Sequence, residues 1–169
     1  MCGIYCALNT TGSFSEKDNE SFRMATDRVA YRGPDASGVR LFNTRGIASP
    51  SSFSVFLGHR RLSIIDLSAA GNQPMEAGNC HIVYNGEIFN YLEVRRDLEK
   101  EGCRFHTESD TEVILQTYRT FGVQGFSRFN GMWAFCLLDL DKGKLVVSRD
   151  RFSIKPLYTC QPSPGVTLF

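Results

Sequence analysis

The chain has 169 residues, 42% hydrophobic and 22% charged, the size and make-up of one globular domain and not of a disordered or fibrous chain. Nineteen Lys and Arg stand against eighteen Asp and Glu, a formal charge of +1, so no large field is present to hold nucleic acid or an anionic membrane non-specifically. The longest apolar run, residues 132–138, is far below the roughly 18 residues of a membrane helix, and the N-terminus lacks the basic stretch of a secretory signal.

In chain order, residues 3–8 are short and apolar and predict a buried strand. Ser15 predicts the cap of a helix to about residue 30, with Glu16 and Asp18 in its first turn and Phe22, Ala25 and Val29 on one face. Pro34 ends it, because the residue before a proline is pushed out of the helical region. Residues 39–42 predict a strand, 43–54 a surface loop and 55–59 a strand. A loop over 68–78 leads to a strand at 81–84 and then to Asn85-Gly86, a strong turn signal. Asn90 predicts the cap of a helix over about 91–101, with Gly102 as its C-terminal glycine. Ser109 or Asp110 predicts the cap of the next helix, which buries Ile114, Tyr118 and Phe121 and stops at Gly122. Residues 132–139 and 144–148 predict a hairpin, 157–160 another strand and 166–169 the start of a last one. Strands, then helices, then strands imply an α+β fold with mainly antiparallel sheet.

Six cysteines lie at positions 2, 6, 80, 103, 136 and 160. None has the spacing of a zinc or redox pair and only three histidines are present, so no metal site is expected and the default setting is soluble, reducing and cytoplasmic. Cys6, Cys80, Cys103, Cys136 and Cys160 read as structural. Cys2 differs. If Met1 is removed, its thiol and a free α-amine share one residue, and an α-amine with a pKa near 7.7–8.0 can take the thiol proton. Asn85 and the Gly86 N–H together offer two donors to an oxyanion. An Arg in Arg60-Arg61 suits a carboxylate, and Glu87 and Asp110 suit an ammonium. Taken singly, each has a simpler reading: a small residue at a chain start, an Asn-Gly turn, a solvated basic rim, a helix cap.

The motifs Met1-Cys2-Gly3-Ile4, Arg32-Gly-Pro-Asp35, His59-Arg-Arg-Leu-Ser-Ile-Ile-Asp66, Gln73-Pro74, Tyr84-Asn-Gly-Glu-Ile-Phe-Asn-Tyr91, Ser109-Asp110-Thr-Glu-Val113, Gly131-Met-Trp-Ala-Phe135 and Arg149-Asp150-Arg-Phe run through nearly the whole chain. In that order they resemble the glutaminase domain of glutamine-dependent asparagine synthetases, which are class II, N-terminal-nucleophile amidotransferases. The resemblance implies a four-layer αββα fold of two antiparallel sheets between helices. It implies that Cys2 attacks the side-chain amide of glutamine, that Asn85 and Gly86 hold the oxyanion, that Arg61 holds the substrate carboxylate, and that Glu87 and Asp110 hold its ammonium. Arg32 and Asp35 would fix a loop over the site or simply shape a turn. Arg149 and Asp150 would buttress the core or a domain interface, and Leu62, Ile64 and Ile65 would line the pocket or merely pack.

No cofactor is implied for this half-reaction; ATP and magnesium belong to a synthetase domain that this sequence lacks. That domain, in cis or in trans, and glutamine are the implied partners, with no nucleic acid or membrane; a homo-oligomer is compatible with the sequence. Two departures stand out. The family's glycine after Arg-Asp-Arg-Phe is Ser153 here, and the chain ends at Phe169, which implies a domain over 1–169 truncated at its C-terminus, with an exposed sheet edge there. Two other readings remain open: a glutaminase serving another acceptor, such as a sugar or polysaccharide, and a non-catalytic regulatory or binding module that keeps Met1.

Overall fold

The computed structural model describes residues 2–43 and 53–169, so Met1 and most of the loop expected over 43–54 lie outside the described residues. Strand β1 (Gly3–Asn9) pairs antiparallel with β3 (Ser54–Arg61), which pairs with β2 (Ala36–Asn43). The second sheet joins β4 (Met75–Ala77), β5 (Cys80–Ile88), β6 (Gly131–Asp139) and β7 (Lys144–Arg149), all antiparallel. Near the C-terminus, β8 (Cys160–Ser163) and β9 (Val166–Leu168) complete the first sheet in the order β2-β3-β1-β9-β8.

The period-2 alternation of the strands sorts side chains into three apolar layers. Cys6, Val55 and Leu57 from the first sheet meet Val83, Cys136 and Leu138 from the second. The opposite face of the first sheet, with Tyr5, Ala7 and Phe56, packs on Phe14 and on Phe22 of helix α1 (Glu16–Asp27). The opposite face of the second sheet, with Ile82, Phe135 and Leu137, packs on Val94 and Leu98 of α2 (Tyr91–Lys100) and Ile114, Leu115 and Tyr118 of α3 (Asp110–Phe121). The result is the four-layer αββα sandwich. Fully buried side chains such as Phe56, Leu57, Ile82 and Leu137 each contribute roughly 1.5–3 kcal/mol by leaving water.

The helix ends follow local chemistry. Ser15 and Asp18 form a reciprocal capping box on α1, which stops at Asp27, earlier than expected, and a 3₁₀ turn at Ala30–Arg32 leads into Gly33-Pro34. Gly102, at φ 87°, closes α2: its N–H reaches Glu99 O and the Cys103 N–H reaches Leu98 O. Gly122, at φ 64°, closes α3.

Four expectations need correction. Asn85-Gly86 is not a turn; β5 runs straight through it to Ile88, because its partner β6 is long enough to hold the ladder from Cys80 to Ile88. The stretch 68–78 is not all loop; it carries a 3₁₀ turn at Ala69–Gly71 and the short strand β4. The terminal strand is not a sheet edge: β9 lies between β1 and β8, and Phe169 exchanges backbone hydrogen bonds with Cys6 at 2.8 and 3.0 Å. The strand expected over 157–160 begins only at Cys160. Cys6, Cys80 and Cys136 are buried, Cys103 is half-buried and Cys160 is exposed.

Candidate active site

Strand ends place the first two site residues. Gly3 pairs with Arg60, so Cys2 and Arg61 leave the ladder side by side. The half-buried Cys2 thiol lies 3.4 Å from the Leu62 N–H, which donates to it, and 3.6 Å from the Leu62 carbonyl. Arg32 Nε donates to the Cys2 carbonyl at 3.2 Å, and Asp35 accepts the Ser63 N–H at 2.7 Å while its own N–H reaches Arg61 O. The Arg32–Asp35 motif thus clamps the two strand ends that carry Cys2 and Arg61.

Arg61 is buried, and three of its five N–H donors are taken: Nη1 by Ser68 O at 2.7 Å and Asn72 Oδ1 at 2.8 Å, and Nη2 by Asp66 O. The loop from Asp66 to Asn72 therefore orients the guanidinium and leaves Nε–H and one Nη2–H for a ligand.

Strand β5 supplies Asn85, Gly86 and Glu87. Backbone N–H groups two residues apart point to the same edge of a strand. On the edge facing away from β6, the Tyr84 N–H is taken by the Gln73 side-chain carbonyl at 2.7 Å and the Ile88 N–H by Asp110 Oδ2 at 3.0 Å. Gly86 lies between them, so its N–H faces the same way, between two capped neighbours. A Cβ on Gly86 would collide with the Met132 carbonyl, which is why glycine stands here without a turn. Asn85 is buried, and its side-chain amide has no hydrogen-bond partner among the described residues.

Asp110 opens α3, but the cap is Ser109, whose hydroxyl accepts the Thr111 N–H at 3.1 Å. The Asp110 carboxylate instead points back to β5, where Oδ2 accepts from Tyr84 Oη at 2.7 Å and from the Ile88 N–H. Burial raises its pKa above the ordinary value, and the Ile88 and Tyr84 bonds pull it back only in part.

Cys2, Arg61, Asn85, Gly86, Glu87 and Asp110 all line one cleft. Leu62, Ile64 and Ile65 line it too, although Ile64 is largely exposed. Gln73, Tyr84, Met132 and Lys155 line the cleft as well, without a chemistry that marks them in the sequence alone. Each sits inside or beside a quoted motif, and that was the available signal. Lys155 is brought there by Asp150, whose carboxylate accepts four backbone N–H groups, those of Trp133, Phe152, Ile154 and Lys155. Burial alone would raise the Asp150 pKa; the four bonds outweigh it and hold it below the ordinary carboxylate value. Arg149 is exposed at the end of β7.

The whole chain, residues 1–169, matches the family of glutamine amidotransferase domains. It is 38% identical to asparagine synthetase [glutamine-hydrolyzing] 1 of Bacillus subtilis, over 94% of this chain and 24% of that protein. It is 40% identical to amidase chry2 of Gibberella zeae, again over 94% of this chain and 24% of that protein. Glutamine phosphoribosylpyrophosphate amidotransferase of B. subtilis shares the fold, with a TM-score of 0.76 at 16% identity over 98% of this chain and 41% of that one. The chain spans a quarter to a third of the length of the curated relatives it matches. With its αββα layers and its nucleophile candidate at one cleft, the chain belongs to the glutamine amidotransferase domain family.

Proposed function

We propose that the domain hydrolyses glutamine to glutamate and ammonia through a thioester on Cys2, once Met1 has been removed. The observation that carries this reading is the meeting, in one cleft, of a thiol, an outward-facing Gly86 N–H beside Asn85, a guanidinium with two donors to spare, and two carboxylates. The Cys2 α-amine takes the thiol proton, and Sγ attacks the amide carbon. Charge on the amide oxygen is met by the Asn85 Nδ2–H and the Gly86 N–H, donors of a kind worth about 2.7–4 kcal/mol each in transition-state stabilisation. The tetrahedral intermediate collapses as the nitrogen takes the proton back from the amine, and the C–N bond breaks to release ammonia. The same amine then deprotonates a water that hydrolyses the thioester, which frees glutamate and the thiol. Arg61 holds the α-carboxylate, and Glu87 and Asp110 hold the α-ammonium. No metal or cofactor takes part in this half-reaction.

The ammonia serves ATP-dependent synthesis of asparagine from aspartate, on a synthetase domain that works with ATP and magnesium in cis or in trans. The similarity to the B. subtilis asparagine synthetase supports that acceptor. The equal similarity to amidase chry2 favours a second reading, in which the same glutaminase serves a different acceptor. The test of the half-reaction is release of glutamate from glutamine. Cys2→Ala is expected to abolish it and to leave the melting curve unchanged; undiminished release would overturn the proposal. An intact-mass measurement showing Met1 retained on active protein would overturn the amine's role.

A further inference from the structure

Tyr84 makes three structural contacts with three different parts of the chain, and none of them is explained by packing alone. Its N–H donates to the Gln73 side-chain carbonyl at 2.7 Å. Its carbonyl accepts from His59 Nε2, 3.1 Å away on β3. Its hydroxyl donates to Asp110 Oδ2 at 2.7 Å. Gln73 in turn reaches Thr111 Oγ1 at 3.2 Å, one residue beyond Asp110. The next two residues of β5 are Asn85 and Gly86.

We infer that Tyr84 is a positioning residue for recognition of the substrate's α-ammonium: its hydroxyl fixes the Asp110 carboxylate, while its main chain fixes the strand that carries Asn85 and Gly86. One residue thus registers the ammonium end of the glutamine site against its amide end. The inference rests on the function proposed above.

The hydroxyl is suited to this as a permanent donor. Burial and then the Asp110 charge push its pKa well above the ordinary tyrosine value, so it stays protonated throughout the working range. The Asp110 carboxylate is under the opposite pressure. Burial favours its neutral form, and Glu87, facing it from β5, adds a like charge. The other charged or titratable groups on the same cleft are Cys2 before β1, Arg61 at the end of β3, Asp66 from the following loop and Lys155 from the loop after β7. Removing the phenol hydroxyl takes away one of the two donors on Oδ2 and leaves the Ile88 N–H. Asp110 would then hold its proton to higher pH, and a protonated acid attracts an ammonium less.

The test is calorimetric binding to the Cys2→Ala protein, which separates recognition from chemistry. Adding Tyr84→Phe, which keeps the ring and its packing, is expected to weaken L-glutamine binding about ten-fold near neutral pH. It should also move the acid-side loss of affinity to higher pH. Glutaramate, which is glutamine without its α-ammonium, should bind both variants alike. Equal L-glutamine affinity in the two variants, or an equal loss for both ligands, would overturn the inference alone. Failure of the Cys2→Ala protein to bind L-glutamine at all would overturn the proposed function and this inference with it.

Discussion

His59 braces the strand that carries Asn85 and Gly86 without lining the cleft itself. It is fully buried between the sheets, two positions before Arg61, and its Nε2–H holds the Tyr84 carbonyl while Nδ1 has no partner. Burial pushes its pKa from the ordinary 6.5 down to about 4. The unfolded chain takes up a proton as pH falls below 6.5, and the folded chain does not until about 4. Stability is therefore lost as pH drops through that window, by about 3 kcal/mol at the bottom. His59→Gln, which keeps a donor for Tyr84 O, is expected to flatten stability between pH 6.5 and 4, read by denaturant titration at each pH; an unchanged slope would refute this. The six residues named from the motifs do line one cleft, because each combines a distinctive chemistry with a fixed neighbour: Cys2 at the chain start, Arg61 before Leu-Ser-Ile, Asn85 to Glu87 in one run, Asp110 after Ser109. His59, Gln73 and Tyr84 were not legible in this way. Their work is done through single hydrogen bonds between elements 11 to 26 residues apart, which no local pattern encodes.

Among the elements, local signals held where a side chain or a glycine acts on its own backbone. Ser15 and Ser109 start α1 and α3, and Gly102 and Gly122 end α2 and α3, as their chemistry dictates. They failed where a neighbouring strand decides. Asn85-Gly86 has the composition of a turn, yet a nine-residue ladder with β6 keeps it extended, and the glycine answers to the Met132 carbonyl instead. The segment after β7 combines both influences. Asp150 gathers the N–H groups of Phe152, Ile154 and Lys155 into a tight loop, and Ser153 at its apex is left at φ 59°. It is the only residue other than glycine with a positive φ among the described residues. A left-handed L-residue costs roughly 1–2 kcal/mol relative to glycine, and Ser153 is exposed, with its N–H donating to Asp150 O at 3.1 Å. Ser153→Gly is expected to raise stability by about 1 kcal/mol in chemical denaturation; a loss of stability would show that the serine side chain compensates for its backbone.

At the scale of the whole molecule, two sheets share one apolar layer, and the cleft opens where β1, β3 and β5 come to their ends. No helix among the described residues is long and apolar enough to cross a membrane. The α+β class followed from the order of elements, but the four layers did not follow from periodicity; they were implied only by the family resemblance. The first sheet depends on its last strand. Val166, Leu168 and Phe169 are half-buried against β1 and the layers beside it, an amount of burial worth roughly 3 kcal/mol together. A chain ended after Gly165 is expected to melt roughly 10 °C lower; a melting temperature within a degree or two of the full sequence would mean that β9 adds nothing. The pairing of Ala7 with Leu168 and of Asn9 with Val166 also has a consequence in time. Strand β1, which follows Cys2, is synthesised well before its partner β9. At about 5–20 residues per second, β1 waits roughly 10–30 s for that partner. Late in this interval the nascent chain holds the thiol and most of its pocket, but not the strands that complete the sheet beside them. Assembly of the site is thereby timed to the end of translation of this segment.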